Sequence, residues 1–418
     1  MVYLNPAAQL GGAERSLLDV MASVLLEAPS TELHLIVPED GPLIDRARDL
    51  GVRITVLKMP IPITRLGDSR FRGRGRLRAL VEMVPQAVAA GVSGPGYVRC
   101  LRRAVQRLRP DVIHSNGIKS HVFSGFLGAG GPKVIWHIRD FVGARPMAGR
   151  MLRRLTHRAT QAVAISNAVA HDARMVLPDF PIDVVHNAIR TDVFTPGAGD
   201  GTVLDQLAGL PPARANVVRV GLVATYARWK GHGLFLEAAA RLARRADVSL
   251  RFYVIGGPIY ETRGSQFTED ELRERARSLG IADGVGLVAF QENPADAYRC
   301  LDIVVHASTQ PEPFGRTIVE AMACGKPVVV SQAGGAAELF GHMDDAIGVP
   351  PSDPAMLADA IELLARNPDM RIRLGKSARH SAVERFSHTR LGPQFLRIYR
   401  AEPATIGIET SGRPRRAA

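Results

Sequence analysis

Residues 312–330 read EPFGRTIVEAMACGKPVVV, and this stretch decides how the second half of the chain is organised. An apolar run precedes it (302–308, DIVVHAS) and another closes it (326–331, KPVVVS), and both are typical of buried strands. Pro313 suits the first position of a helix, and Gly325 suits the C-terminal end of one. The stretch therefore predicts strand, loop, helix and strand. Glu312 then lies at the carboxyl edge of the first strand, where open α/β sheets bind ligands.

Two glutamates, Glu312 and Glu320, enclose seven residues of this stretch. A helix rises about 1.5 Å per residue, so the two lie roughly 12 Å apart along its axis. The unpaired N–H groups near Gly315, Arg316 and Thr317 suit an anion such as a phosphate. This spacing suits a nucleotide sugar bracketed by two carboxylates. The alternative is a pair of solvated glutamates on an amphipathic helix.

The same stretch resembles the E-x(7)-E motif of the retaining glycosyltransferases of family 4. EPFG before Glu320 and GKPVV after it carry the resemblance, which extends over residues 4–399. The resemblance implies that Glu312 faces the donor sugar and that Glu320 binds the ribose hydroxyls of the nucleotide. It also implies that Phe314, Gly315, Arg316 and Thr317 belong to the donor site.

Strand-like runs alternate with helix-like segments twice along the chain. The runs are β-branched and apolar nearly throughout, as in buried parallel strands. They cover residues 2–5, 33–37, 53–57, 111–116, 133–138, 162–166 and 183–187, then 217–224, 250–257, 284–290, 302–308 and 326–331. Residues 195–214, rich in Gly, Pro, Ala and Asp, are typical of a connection between domains.

The alternation predicts an α/β protein with two doubly wound domains. The family resemblance implies the GT-B architecture, in which two Rossmann-like domains face a cleft. We assign residues 1–195 to an acceptor-side domain and residues 196–388 to a nucleotide-sugar-binding domain. Residues 389–400 are expected to form a helix that crosses back to the first domain, and residues 401–418 to form a disordered tail.

Gly11 and Gly12 follow the first predicted strand and open a helix. Paired glycines let the backbone approach a ligand and expose N–H groups, although a tight βα turn explains them equally well. The string GGAE resembles the family's loop against the donor phosphates and the acceptor. Both glycines are therefore predicted to bind the donor, and Glu14 is the weaker candidate.

Residues 225–231, TYARWKG, leave the first strand of the second half. A lysine at such a turn can meet a diphosphate as a point charge. Lys230 and Gly231 resemble the family's KG pair, whose lysine contacts the diphosphate. The family usually has an arginine five residues before that lysine, where this chain has Thr225. Arg228 is predicted to supply the missing charge, against the alternative of a solvated turn residue.

His137 ends the run KVIWHI, at an edge from which it can reach a substrate hydroxyl. WHIRD resembles the family's strand-end histidine, which faces the donor sugar, whereas a satisfied loop histidine is the alternative. His114 and His186 are weaker candidates, and the string His186–Asn187–Ala188 resembles a structural hallmark at the domain border.

Two glycine pairs lie in turns that resemble parts of the family's nucleotide pocket. Gly256 and Gly257, with Pro258, resemble the turn beside the nucleobase, and Gly257 is predicted to bind the donor. Gly334 and Gly335, followed by Glu338, resemble the family's GG-x-x-E element, for which structural and functional interpretations stand equal.

Bulk properties restrict the partners and the cell compartment. Three cysteines in 418 residues suit a reducing cytoplasm and neither a disulfide framework nor a metal site. No secretory signal or membrane span is predicted. The net charge of +12 is mostly arginine, and it admits an anionic membrane surface as a partner. Residues 65–78 are expected to form a mobile basic loop that contacts this membrane surface. No nucleic-acid motif is present, so no nucleic acid is expected.

We therefore expect a retaining glycosyltransferase that moves a sugar from a nucleoside diphosphate sugar to a glycan, lipid-linked or small-molecule acceptor. Lys230 and Arg228 would stabilise the departing diphosphate, while His137 and Glu312 would orient the sugar. No Asp-x-Asp pair ends a strand, so neither a metal nor another cofactor is expected. The alternatives are a GT-B-shaped epimerase or phosphorylase, and a basic membrane- or nucleic-acid-associated protein with an inactive cleft.

Overall fold

The fold contains two parallel β-sheets, each flanked by helices. The computed structural model describes residues 1–65, 76–127, 131–214, 216–245, 248–258 and 265–401. Within them the sheets have the strand orders β3-β2-β1-β4-β5-β6-β7 and β10-β9-β8-β11-β12-β13, and every paired strand runs parallel. The predicted pair of Rossmann-like sheets is confirmed.

The first sheet follows the seven apolar runs predicted in the first half. Its strands are β1 (Val2–Leu4), β2 (His34–Val37), β3 (Arg53–Val56), β4 (Val112–Asn116), β5 (Lys133–Ile138), β6 (Gln161–Ala164) and β7 (Ile182–Val184). Val2 and Leu4 of β1 pack into one apolar cluster, while Tyr3 between them packs into another. Burial on both faces explains why these strands are apolar throughout and do not alternate.

The second sheet contains the five predicted strands and one more. Its strands are β8 (Val218–Val223), β9 (Leu250–Ile255), β10 (Val285–Val288), β11 (Ile303–His306), β12 (Val328–Ser331) and β13 (Ile347–Val349). The additional edge strand β13 has three residues, IGV, too short a run to be distinguished from a loop.

Helices connect the strands and cover both sheets. Those before residue 195 are α1 (Gly12–Glu27), α2 (Pro42–Asp49), α3 (Ile61–Arg65), α4 (Arg76–Leu108), α5 (Ile118–Ser124), α6 (Pro146–Leu155) and α7 (Asn167–Val176). Those after it are α8 (Gly201–Leu207), α9 (His232–Ala243), α10 (Glu269–Ser278), α11 (Pro294–Arg299), α12 (Arg316–Ala323), α13 (Pro354–Arg366), α14 (Pro368–Phe386) and α15 (Leu391–Arg400).

Helix α15 packs on the first sheet's domain although it follows the second sheet in the chain. Its apolar residues share a cluster with Leu17 and Met21 of α1. The amide of Gly392 donates to the Ser23 hydroxyl at 2.7 Å, and a Cβ at Gly392 would lie 2.3 Å from the Ser23 carbonyl oxygen. Glycine at position 392 therefore allows the two helices to approach this closely.

The interdomain connection differs from the prediction. Residues 195–214 contain the helix α8, which a Gly- and Pro-rich composition did not indicate. Asp205 of α8 is buried and accepts hydrogen bonds from Arg219 and Arg251 and from the hydroxyl of Tyr253, which anchors the connection to the second sheet.

The basic stretch 65–78 is helical at both described ends, since Arg65 closes α3 and Arg76 opens α4. The prediction of an irregular loop is therefore wrong at these two positions. Residues 66–75 and the predicted tail from residue 402 lie outside the described residues. The domain boundaries proposed from the sequence stay predictions.

Candidate active site

The loop that carries Glu312 is shaped by contacts with the turn after β12. The amide of Glu312 donates to the Ala333 carbonyl at 3.2 Å, and its carbonyl accepts from the Gly335 amide at 2.7 Å. Gly334 has φ +66, and a Cβ at Gly335 would lie 2.2 Å from the Pro313 carbonyl oxygen. The two glycines predicted to allow a close turn thus let this turn pack directly against the loop.

Helix α12 begins at Arg316, with Gly315 as N-cap at φ 101. Pro313 was predicted to occupy the first helical position, and this prediction is wrong. The left-handed conformation of Gly315 delays the helix, so Glu312 and Pro313 form an irregular loop before it. Phe314 is buried in that loop. The first N–H groups of the helix, near Arg316 and Thr317, have no partner within the helix, as at any helix N-terminus.

Glu312 is a buried carboxylate surrounded by three donors. Its Oε2 accepts hydrogen bonds from Lys230 Nζ at 2.7 Å, from the Ser308 hydroxyl at 3.0 Å and from His306 Nε2 at 3.1 Å. Burial raises the pKa of Glu312, but the Lys230 ammonium and His306 outweigh burial and lower it to about 2. Glu312 is therefore ionised, and it joins the ends of β8 and β11 through Lys230.

Glu320 lies in the second turn of α12 and is also buried. The Tyr298 hydroxyl donates to its Oε2 at 3.2 Å, and Arg316 Nε donates to its Oε1 at 3.0 Å. Burial raises the pKa of Glu320, and the positive charge of Arg316 opposes the rise. The carboxylate predicted to bind ribose is thus held in a fixed orientation by two side chains.

Arg316 extends from α12 to the first domain. Its Nη1 donates to Asp19 Oδ2 at 2.6 Å, to the Ala188 carbonyl at 2.9 Å and to the Ser16 hydroxyl at 3.2 Å. The sequence predicted Arg316 only as a backbone donor at the helix start. Its side chain forms an interdomain contact that spacing along the sequence did not reveal.

His137 is the penultimate residue of β5 and is 1% exposed. Its Nδ1 faces Arg139 Nη2 at 3.3 Å, and Arg139 Nη1 donates to Asn187 Oδ1 at 3.0 Å. Asn187 precedes Ala188, whose carbonyl accepts from Arg316. His137 is therefore connected to the α12 cluster through the segment His186–Asn187–Ala188 at the domain border.

The glycines of the predicted donor loops differ in how closely their surroundings pack. Gly11 is the N-cap of α1, and its amide donates to Glu14 Oε2 at 3.2 Å, which gives Glu14 a capping role. Gly12 begins α1, and a Cβ there would meet nothing within 4 Å. A Cβ at Gly231 (φ +80) would lie 1.8 Å from the Ala307 carbonyl oxygen, so only glycine fits beside Lys230.

Arg228 makes its described contacts on the side of α10. It pairs with Glu271 of α10 at 2.6 Å, lies over the Phe267 ring and is 43% exposed. This pair competes with the predicted role of Arg228 as a replacement for the family arginine, and that role stays a prediction. Thr225 and Gly257 each lie two residues after the end of their strands, β8 and β9, and their assignment to the donor stays a prediction.

Glu338 connects the two domains, which the sequence did not indicate. Its carboxylate accepts from the amides of Asn167 and Ala168 at the start of α7 at 2.8 and 2.7 Å, and from His186 Nε2 at 2.9 Å. Ser166 Oγ donates to the Pro313 carbonyl at 2.7 Å beside it. Burial raises the pKa of Glu338, but the hydrogen bonds from His186 and from these amides outweigh it, and the pKa is lowered.

Two halves of the chain match two domain families. Residues 10–193 match Glycosyltransferase Family 4, and residues 214–381 match Glycosyl transferases group 1. The chain belongs to the family-4 type of glycosyltransferases. The sequence signal that predicted this was the E-x(7)-E stretch, which lies within the second matched region.

Curated relatives of this family-4-type chain include two D-inositol 3-phosphate glycosyltransferases. The enzyme of Corynebacterium urealyticum is 32% identical over 226 residues, which cover 53% of this chain and 51% of that one. The enzyme of Mycolicibacterium smegmatis is 35% identical over 212 residues, covering 50% of this chain and 45% of that one. The chain thus spans about half the length of these relatives.

Solved structures share the complete two-domain fold of this family-4-type chain. HepE of Anabaena, solved with UDP and glucose, superposes with a TM-score of 0.73 at 23% identity, covering 95% of this chain and 98% of that one. The sucrose-phosphate synthase of Thermosynechococcus elongatus superposes with a TM-score of 0.74 at 18% identity, covering 96% and 98%. At these identities the likeness concerns the fold, which is GT-B.

Among the residues that the structure describes, no three His, Cys, Asp or Glu side chains are grouped so that they could hold a metal ion. Metal independence stays a prediction to be tested on the purified protein.

Proposed function

We propose that the chain transfers a sugar from a nucleoside diphosphate sugar to an acceptor, with retention of the anomeric configuration and without a catalytic metal. The contact of Lys230 with Glu312 carries this proposal. It brings a cation from the turn after β8 and an ionised carboxylate from the loop after β11 together, and that loop leads into the N-terminus of α12. Anionic ligands bind at such edges and helix starts.

The chemistry assigned to this cluster is stabilisation of a leaving group. The bond between the anomeric carbon and the diphosphate oxygen breaks, and the acceptor hydroxyl oxygen forms the new bond on the same face. Its proton passes to the departing phosphate oxygen. Lys230 has three N–H donors, one of which serves Glu312, so the others can meet the phosphate. Donors aimed at developing charge typically account for the largest part of such catalysis.

The nucleotide is assigned to the side of α12 where Tyr298 and Arg316 hold Glu320. We propose a uridine nucleotide as the first candidate, because HepE was solved with UDP and glucose. GDP-sugars and ADP-sugars are the next candidate donors. The named activity of the relatives makes an inositol phosphate one candidate acceptor. Glycans and lipid-linked sugars are the others.

The decisive experiment incubates the purified chain with UDP-, GDP- and ADP-sugars, with and without these acceptors. The expected result is release of the nucleoside diphosphate and a glycoside with the donor's anomeric configuration. A donor sugar isomerised without release would indicate the epimerase alternative. Neither reaction, with no thermal stabilisation by any nucleotide, would indicate an inactive cleft and contradict the proposal.

We also propose a cytoplasmic location with attachment to an anionic membrane surface. The exposed face of α6 supports it, since Arg150, Arg153 and Arg154 lie there beside Met147 and Met151, which are 44% and 41% exposed. Basic amphipathic helices with apolar residues bind at such surfaces. Over the described part of the chain, no helix has the length and apolar character needed to span a bilayer.

A further inference from the structure

Tyr399, in the helix that returns to the first domain, is buried against the histidines of β4 and β5. Its hydroxyl lies 2.7 Å from His114 Nδ1, and the Tyr3 hydroxyl lies 3.5 Å from it on the other side. Tyr399 is 3% exposed and His114 is fully buried. The returning helix therefore contributes a polar group to the interior of the first domain, directly behind His137.

The hydrogen bonds fix which nitrogen of each ring carries the proton. Arg139 has only donors, and its Nη2 lies 3.3 Å from His137 Nδ1, so that nitrogen accepts and the proton of His137 is on Nε2. His114 Nε2 lies 3.0 Å from the same Nδ1 and must therefore donate to it. His114 Nδ1 is then an acceptor, and the Tyr399 hydroxyl donates to it.

Burial keeps every member of this chain in the required protonation state. Burial, with the positive charge of Arg139, lowers the pKa of His114 and of His137 well below the ordinary value, so both are neutral. Burial raises the pKa of Tyr399 well above its ordinary value, so the hydroxyl keeps its proton. Burial lowers the pKa of Arg139 to about 9, which leaves it charged at neutral pH.

The chain of donors ends at His137 Nε2. This atom is buried and has no hydrogen-bond partner among the described residues. A buried N–H without an acceptor is costly, and at the carboxyl edge of a strand it is available to a ligand. We propose that Tyr399 and His114 are positioning residues that hold His137 with its proton on Nε2, so that it donates to a hydroxyl oxygen of the donor sugar.

Only the identity of the acceptor, a sugar hydroxyl, rests on the proposed function. The direction of donation, from Tyr399 to His114 and from His114 to His137, follows from the hydrogen bonds alone. It also assigns a chemical task to His137, since a neutral ring with its proton on Nε2 and its other nitrogen occupied can donate but cannot act as a base.

The tautomers can be observed directly in the full chain labelled with ¹⁵N-histidine. Long-range ¹H–¹⁵N correlation distinguishes a protonated from an unprotonated ring nitrogen. We expect His114 and His137, assigned by single substitutions, to be neutral with the proton on Nε2 from pH 6 to pH 8. A proton on Nδ1 of His137, or a doubly protonated ring, would overturn the proposal.

Tyr399→Phe tests the dependence on the returning helix, with Tyr3→Phe as the matched control. Both rings lie beside His114, but only Tyr399 has a hydroxyl bonded to it. We expect Tyr399→Phe to lower turnover up to about tenfold, to alter the His137 signals and to leave UDP affinity unchanged. Tyr3→Phe should behave as the unaltered chain. Unchanged signals and turnover in Tyr399→Phe would overturn the proposal.

Two substitutions at His114 test whether a replacement N–H donor restores turnover. Glutamine can present an N–H where the histidine has Nε2, whereas leucine cannot, so His114→Gln should retain more turnover than His114→Leu. Equal losses in the two variants would contradict a positioning role. If the protein has the predicted tautomers but transfers no sugar, the transferase function is refuted, while the hydrogen-bond series from Tyr399 through His114 to His137 is supported.

Discussion

Arg316 of α12 donates to Asp19 of α1 at 2.6 Å, across 297 positions of the chain. The same guanidinium donates through Nε to Glu320, so one side chain joins the candidate ribose carboxylate to the first domain. Arg316 and Asp19 are 13% and 8% exposed, which makes this a buried ion pair. Breaking one partner of such a pair is costly because the other charge stays buried.

Asp19→Asn is therefore expected to destabilise the protein. Asparagine keeps the shape and one acceptor oxygen but removes the charge that faces Arg316. The loss should be about 1–3 kcal/mol, measured as a lower thermal midpoint. Asp192→Asn is the matched control, since Asp192 pairs with Arg190 on the surface at 54% exposure and should shift the midpoint little. Equal midpoints for the two variants would contradict the importance of the interdomain pair.

Glu320→Ala should weaken nucleotide binding while the protein stays folded. Loss of hydrogen bonds from ribose hydroxyls to a carboxylate costs on the order of 1.5–3 kcal/mol, or roughly ten- to a hundredfold in affinity. Calorimetry with UDP measures the effect, and Glu384→Ala, at an exposed position of α14, is the control. An affinity that does not change would eliminate the ribose assignment.

Lys230→Ala should lower turnover by roughly 10²–10³, because it removes positive charge where the diphosphate departs. Arg228→Ala is the matched basic substitution two residues earlier. It should have little effect, since the described ion pair of Arg228 is with Glu271, whereas that of Glu312 is with Lys230. Addition of EDTA should leave the rate of the unaltered chain nearly intact. Loss of activity with EDTA and recovery with magnesium would refute the metal-independent mechanism.

The ion pair of Glu312 predicts a pH-dependent stability. The pKa of Glu312 in the folded chain, about 2, lies below its ordinary value of 4.5. Its contribution is therefore complete above about pH 4.5 and is lost as the pH falls towards 2. The difference in thermal midpoint between the unaltered chain and Glu312→Gln should be large at pH 7 and narrow below pH 4.5.

Glu274→Gln provides the control for this pH series, because Glu274 is in an exposed pair with Arg277. Its midpoint should follow that of the unaltered chain at every pH. A gap between Glu312→Gln and the unaltered chain that stays constant from pH 7 to pH 3 would show that the carboxylate does not titrate in this range.

Replacement of the three exposed arginines of α6 by glutamine should weaken binding to anionic vesicles. Each arginine near such a surface contributes about 1 kcal/mol, so together they should change the partition by more than about tenfold. Co-sedimentation across a salt series measures the effect, and neutral vesicles should bind neither protein.

A control for this change removes the same number of arginines from the second domain. Three of the exposed arginines there suit this purpose, namely Arg241, Arg244 and Arg277. Their replacement lowers the net charge equally but should leave vesicle binding intact. If both triple variants lose binding to the same extent, the attraction depends on total charge and not on α6.

Much of the fold could be predicted because parallel strands buried on both faces are apolar throughout. β5, KVIWHI, has its predicted boundaries. The edge strand β13 and the connecting helix α8 could not be predicted, because their stability comes from neighbours. Asp205, for example, anchors α8 through residues of β8 and β9 that are distant in the chain.

The candidate site was predictable where a motif is contiguous and not where contacts join residues that are distant in the chain. Glu312 and Glu320 were recognised by their spacing. No local pattern marks Glu338 as a cap for α7 or Tyr399 as a neighbour of His114, since those partners lie 171 and 285 positions away. His306 was not singled out from the sequence, although it lies inside the predicted run 302–308, six residues before the carboxylate it contacts.

The position of α15 on α1 also affects how the chain folds during synthesis. Gly392 and its neighbours cover an apolar face made by residues near the beginning of the chain. Ribosomes add about 5–20 residues per second, so the roughly 200 residues between the first domain and α15 take on the order of 10–40 s. Throughout that interval the face around Leu17 and Met21 stays uncovered, and it is the surface a ribosome-associated chaperone would need to shield.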